Sequence, residues 1–498
     1  MSETYGFYLN VMSSQNDLVW ILAYLLLSMM ASWSILLKDR DSFYKASWLA
    51  IVWFSPFVGV LLYMSLGINR IERKGQKIRS QKMFISDLNS YREQQSEQSL
   101  VADLELQAMQ HASKDFMSAM YKATDCPLVE AHVIEAYQGG NKAYASMLEC
   151  IEKAAVSVHL QSYIFDRGTA GDRFIAALLR AKQRGVEVRV LVDAIGAKYS
   201  FPSSYSQMKK LGLNCFKFLP NRLTGGLAFI NLRNHRKILT IDSCIAFTGG
   251  MNIRDSHLQL GSNESFTDDL HFKLTGPIAE RLDSIFMEDW CFSGGIVSSS
   301  WLLKHADIVV PADSSKSIVC RVIPDGPDLR AQKINLTNLL GISFAKSSIE
   351  ILTPYFVPDK TTLDALCIAA MKGVRVRILV PKKGNIPFVN WAMIPQFSSL
   401  IKHGCQVFLS DFMFDHSKLM IVDKAWSCIG TANWDMRSYR LNFEVNVEVY
   451  NLEFAQTMHQ IFQDKILRSK QLTMTDITSR SRVFNLRDQI FSLVSPYL

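Results

Sequence analysis

Two long runs without a charged residue stand near the amino terminus, Leu18–Leu37 and Ala46–Ile68, the second carrying Pro56, Gly59 and Gly67. Each is long enough to cross a hydrocarbon layer of about 30 Å as a helix. The pattern therefore predicts a two-helix transmembrane hairpin, with spans at about 18–37 and 46–68. Trp20, Trp33 and Trp48 suit interfacial positions, whereas Trp53 falls inside its span. A cleaved signal peptide fits poorly: no Lys or Arg precedes Leu18, and the apolar run exceeds an ordinary signal core. From Ser80 to about Thr124 the chain is polar and free of Gly and Pro, the pattern of a helical connector.

After Cys126 the periodicity changes and the chain repeats itself. Val156–Tyr163 reads as a strand, about Gly171 to Arg184 as a helix, and Gly185 leads into an alternating strand, Val186–Val192. The second copy has a strand at Ser348–Tyr355, a helix over about Thr361 to Lys372, then Gly373 and the strand Val374–Val380. Strand, helix, glycine, strand is a βαβ unit. Two in matched order predict tandem α/β-sheet units with pseudo-twofold symmetry. The expected organisation is a membrane hairpin (1–69), a basic helical connector (70–125), a first α/β domain (126–317), a second (318–470) and a tail (471–498). The copies differ by eleven residues, around Arg222 to Leu232, inserted before the key motif of the first. This apolar, glycine-containing insert fits either a substrate entrance dipping towards a membrane or a packing loop.

Composition sharpens this picture in three places. Hydrophobic residues at 48% and charged residues at 20% exclude a disordered or collagen-like chain. The net charge of +8 includes a collar of Arg70, Arg73, Lys74, Lys77, Arg79 and Lys82 after the second run, against Lys38, Arg40 and Lys45 between the runs. By the positive-inside rule the large carboxyl-terminal part faces the cytoplasm, and the collar also attracts anionic head groups. Nine cysteines without a C-x-x-C pair argue for reduced thiols rather than disulfides or a cysteine zinc site.

The chemistry lies in a duplicated motif. The first copy reads Asn234-His235-Arg236-Lys237, then Asp242, Gly249-Gly250-Met251-Asn252; the second reads Asp415-His416-Ser417-Lys418, then Asp423, Gly430-Thr431-Ala432-Asn433. Both are H-x-K-x4-D followed by G-[GT]-x-N. Given the abundance of basic and acidic residues, ten histidines predict about 0.1 chance matches to H-x-K-x4-D. Two matches at equivalent points of a repeat are a strong signal. His and Lys two apart on a strand share a face. A neutral imidazole attacks phosphorus while the ammonium holds the phosphate oxygens. Asp242 and Asp423 complete the motifs and are expected to brace them from the far side of the pleat. Two copies together supply one histidine as nucleophile and one as general acid. Lys237, Lys418, Asn252 and Asn433 cover the phosphate charge, so no metal or other cofactor is expected.

The double motif resembles the phospholipase D superfamily and, over nearly the whole chain, bacterial cardiolipin synthases. The resemblance includes the tandem apolar runs, Asp325-Gly-Pro-Asp328, Thr353-Pro-Tyr-Phe-Val-Pro358, Trp434-Asp-Met-Arg-Ser438, Leu441-Asn-Phe-Glu444 and the carboxyl end Phe491–Leu498. Gly249-Gly250 and Gly430-Thr431 depart from the superfamily's Gly-Ser; Thr431 keeps a hydroxyl and Gly250 does not. The resemblance implies a multi-pass bacterial inner-membrane enzyme that joins two phosphatidylglycerol molecules into cardiolipin, releasing glycerol. Its partners are phosphatidylglycerol, other anionic phospholipids and the membrane, with no nucleic acid. By analogy His235 is the nucleophile and His416 the acid/base. An acidic residue orients each histidine, with Asp269 and Glu444 as candidates, the latter 28 residues after His416. Two other readings remain open at this point: a hydrolase of the same superfamily using water, and a non-catalytic membrane scaffold. The segment Arg482–Val494 has apolar residues at helical spacing and suits either a bilayer surface or docking on the domain.

Overall fold

The computed structural model describes residues 2–38, 42–64, 112–218, 232–259, 266–296, 317–327, 332–411 and 413–493. These fall into two compact units, the amino-terminal helices and everything from residue 112 onward. The basic collar, most of the connector and the insert before the first motif lie outside the described residues.

In the first unit a helix runs from Ser2 to Leu36, and its Leu18–Leu36 portion is long and apolar enough to cross a membrane. The second apolar run is not a single continuous span. It forms two helices, Ser42–Phe54 and Pro56–Leu62, that fold back on each other, so that the rings of Trp48 and Tyr63 lie 5.5 Å apart. The break falls at Ser55 (φ −149°, ψ 75°), the residue before Pro56, where a following proline disfavours the helical conformation. Gly59 permits the return: a Cβ there would stand 2.4 Å from the carbonyl oxygen of Ile51. Trp53 ties the helix Ser42–Phe54 to the first one, donating from Nε1 to Ser32 Oγ at 3.0 Å and accepting at its carbonyl from Tyr24 Oη at 2.5 Å.

The second unit contains the repeat. Each half has a six-stranded core in the same order. In the first half this is Leu270–Thr275, Ile245–Gly249, Ile238–Ile241, Ser157–Ser162, Glu187–Asp193 and Asn214–Phe218. In the second it is Asn442–Tyr450, Trp426–Gly430, Leu419–Val422, Ser348–Leu352, Arg375–Pro381 and Gln406–Ser410. The last three strands of each set are parallel, joined by helices that include Thr169–Gln183 and Lys360–Met371; the others are antiparallel. Leu128–Ala131, inside the first expected domain by sequence, pairs instead with Ile318–Asp325 in the second sheet.

The halves are laced together by exchange. Arg233–Asn234 pairs in parallel with Asn442–Phe443, and Phe414–Asp415 pairs in parallel with Thr267–Asp268. The short segment leading into each motif histidine is thus held by a strand of the opposite half.

Candidate active site

The exchange fixes the histidines. The His235 backbone N–H donates to the Phe443 carbonyl at 2.9 Å, and that of His416 to the Asp268 carbonyl at 2.8 Å. Both side chains are buried, with ring centroids 6.5 Å apart. The motif itself precedes the strand that sequence spacing assigned it to, since the regular strands begin at Ile238 and Leu419. Even so, each lysine folds towards its histidine: Lys237 Nζ donates to the His235 carbonyl at 2.6 Å, and Lys418 Nζ to that of His416.

Behind each ring stands a carboxylate from the other half. His235 Nδ1 lies 3.0 Å from Glu444, and His416 Nδ1 lies 3.0 Å from Asp269. Counting along the sequence associated Glu444 with His416; the partner in space is His235, because the motif segments are exchanged between halves. Nδ1 bonded to a carboxylate carries the proton, which leaves Nε2 with the lone pair. Thr431 Oγ1 and Asn442 Nδ2 donate to Glu444 at 2.6 and 3.1 Å, while Asp269 accepts the Leu270 N–H at 2.8 Å. The missing hydroxyl at Gly250 has a steric cause: a Cβ there would lie 2.1 Å from Asp269 Oδ1.

Burial sets the electrostatics. It lowers both histidines well below their ordinary value, helped by the charges of Lys237 and Lys418, which favours the neutral form of both rings. Burial also draws Lys237 down to about 7 against the pull of Glu444, and Lys418 down to about 8 against Asp269 and Glu444. It raises Asp269 and Glu444 each to about 7, opposed by Lys418 and Lys237 respectively. Two lysines this desolvated are set to gain from an anion placed between them.

The remaining sequence candidates separate. Asp242 and Asp423 lie in two-residue turns with positive φ, at the far end of the motif strands. Asp242 accepts the N–H groups of Ala155, Val156 and Ser157 at 2.7–2.9 Å; Asp423 accepts those of Lys346, Ser347 and Ser348 at 2.7–2.8 Å. Neither side chain points at the histidines. Asn252 is tied by its Oδ1 to the Ile164 N–H at 3.1 Å, whereas Asn433 Oδ1 is buried without a partner among the described residues. Sequence reasoning missed Tyr163 and Tyr355, whose rings lie 5.3 Å from His235 and 6.4 Å from His416. Their signal was present, since both close the matched strands read from the sequence, Val156–Tyr163 and Ser348–Tyr355.

A family model described as cardiolipin synthase, PLD-like domain, matches residues 147–290 and 340–466, the two halves that carry the motifs. The fold is thus that of a phospholipase D-like enzyme, and both motif histidines fall within the matched segments. A phospholipase D-nuclease amino-terminal model matches residues 18–67. A cardiolipin synthase of Clostridium perfringens is 31% identical over 455 residues, covering 91% of this chain and 94% of that one. One from Listeria welshimeri is 30% identical over 491 residues (96% and 100%), and the major cardiolipin synthase of Bacillus subtilis 29% over 483 (95% and 98%). The chain belongs to the cardiolipin synthase family. Among solved structures, phosphatidylserine synthase of Haemophilus influenzae Rd KW20 shares the fold with a TM-score of 0.57 at 17% identity, over 77% of this chain and all of that one.

Proposed function

We propose that the chain is a membrane phosphatidyltransferase that condenses two phosphatidylglycerol molecules into cardiolipin and glycerol. The observation that carries this reading is the facing pair of carboxylate-backed histidines, 6.5 Å apart by ring centroid, with a lysine beside each. The phosphodiester of the first lipid binds against Lys237 and Lys418, with Asn252 and Asn433 at its edge. His235 Nε2 attacks phosphorus, and the bond to the terminal glycerol oxygen breaks. His416, which the bound anion favours in its protonated form, gives its Nε2 proton to that oxygen. Glycerol leaves and a phosphatidyl-histidine remains. His416 then takes the proton from a hydroxyl of the second phosphatidylglycerol as that oxygen attacks phosphorus, releasing His235 and cardiolipin. Asp269 and Glu444 stabilise the imidazolium forms and hold the rings in place. Asp242 and Asp423 serve the motifs by anchoring the neighbouring strand.

The apolar amino-terminal segments anchor the chain in a bacterial cell membrane, with both α/β halves on the cytoplasmic side, the orientation that the basic collar favours. The test is to incubate the purified protein in detergent with labelled phosphatidylglycerol and no added metal. Cardiolipin with glycerol is the expected product. Phosphatidic acid as the main product would instead mark a hydrolase, and cleavage of DNA without action on lipid would overturn the reading. Separate His235→Ala and His416→Ala variants are expected to insert into membranes normally and to make no cardiolipin.

A further inference from the structure

The last described helix, Arg482–Leu493, sits on helix Pro387–Lys402 by one face only. Phe491 packs on Trp391 with ring centroids 4.9 Å apart, Arg487 lies over the same indole at 4.4 Å, and the buried Asp488 accepts from Arg480 and Arg487 at 2.6–2.7 Å. On the opposite face Val483, Leu486, Ile490 and Leu493 expose between 53% and 74% of their surface. At 3.6 residues per turn these four fall within an arc of about 80°. Arg482, also exposed, borders one edge of the stripe, and Arg487 borders the other.

The stripe has a link to the active site. The helix beneath it begins two residues after Asn385, whose side chain accepts from Tyr355 Oη, and the Tyr355 ring lies against His416. Phe388, on the first turn of that helix, is exposed. From the other half Tyr199 lies 6.3 Å from Tyr163, which faces His235, and two residues beyond it Phe201 is fully exposed. In each half, exposed apolar side chains thus follow closely in sequence the residues that contact the tyrosine beside the motif histidine.

We infer that this face seats the α/β unit on the surface of an anionic phospholipid bilayer, so that the head group reaches the histidines while the acyl chains stay in lipid. The inference rests on the transferase reading above, which makes a bilayer lipid the substrate. Charge favours the same occupant: over residues 480–493 three arginines stand against one aspartate, and although Asp488 pairs with Arg480 and Arg487 the segment keeps a net charge of +2, with Arg482 exposed, complementary to phosphatidylglycerol. The amphipathic helix is held by its polar-aromatic face and offers its apolar face outward, the arrangement an interfacial helix needs.

The full-length Leu486→Glu/Ile490→Glu double variant tests this, both side chains being exposed and outside the packed face. Turnover of long-chain phosphatidylglycerol in vesicles is expected to fall at least about tenfold, while turnover of monomeric short-chain phosphatidylglycerol in solution stays at the wild-type level. Unchanged turnover in vesicles, or an equal loss on both substrates, would overturn the docking surface. A second measurement needs no catalysis. In full-length Leu486→Trp reconstituted into phosphatidylglycerol vesicles, brominated acyl chains are expected to quench emission beyond the wild-type level, and equal quenching would count against the inference. If the wild-type protein makes no cardiolipin from either substrate, the transferase reading fails, and quenching alone decides whether the helix meets lipid.

Discussion

Asp269 and Glu444 stand behind the two histidines with side chains that differ by one methylene, and the backbone beside each is matched to that length. Glu444 takes a hydrogen bond from Thr431 Oγ1, while the carboxylate of Asp269 occupies the space a side chain at residue 250 would need. A Gly250→Ala variant should therefore push Asp269 off His416 and lower kcat by about 10²-fold with the fold intact, as read by turnover beside circular dichroism. Glu444→Gln keeps the shape but removes the charge that supports the cationic imidazole of His235 once its Nε2 carries the phosphatidyl group. It should cost about 10²-fold or more in kcat with a smaller change in KM. At this scale the histidines, lysines and both carboxylates were legible in the sequence, because two motif copies at equal spacing rarely arise by chance. Which carboxylate serves which histidine was not legible, since it depends on a crossing between halves that leaves no local pattern. Tyr163 and Tyr355 were visible only as strand ends until their rings were seen against the histidines.

At the scale of elements, the periodicity of apolar residues led correctly to the parallel strand–helix–strand units, because a half-buried helix and a buried strand impose distinct spacings. It did not reveal the two short pairings that exchange the motif segments, each only two residues long. Polar clamps secure them. Arg236 donates to Asp289 at 2.7 Å and to the carbonyls of Glu444 and Asp325 at 2.9 and 3.0 Å, bridging the halves on the His235 side. On the His416 side Lys465 holds Asp268 at 2.6 Å and also Asp415. Lys465→Met would strand the buried carboxylate of Asp415 and the partly buried one of Asp268. We expect a loss of about 3–5 kcal/mol and a clear fall in thermal midpoint, against no measurable change for Lys153→Met in the exposed pair with Glu149. In the amino-terminal unit, length alone suggested a straight second span. Pro56 and Gly59 turn it back instead, because proline excludes the helical conformation from the residue before it.

For the whole molecule, the site couples two halves into one titrating cluster. Lys237 and Lys418, lowered to about 7 and about 8 by burial, lose their protons as pH rises, and with them the hold on phosphate. The kcat/KM of the lipid-free enzyme should accordingly decline from about pH 7–8 upward. A bound phosphodiester stabilises both ammonium groups, so the alkaline limb of kcat should lie at higher pH than that of kcat/KM. Parallel pH profiles of the two constants check this. The sequence by itself determined that the chain carries apolar segments fit for a membrane, a duplicated α/β unit and two copies of a phosphate-transfer motif, because composition, periodicity and repetition are properties of local order along the chain. Only the tertiary structure decided that each histidine is held and oriented by the opposite half, that Gly250 makes room for Asp269, and that the final helix turns an apolar stripe outward. These depend on contacts between residues far apart in sequence, where burial and steric fit, rather than spacing, choose the partner.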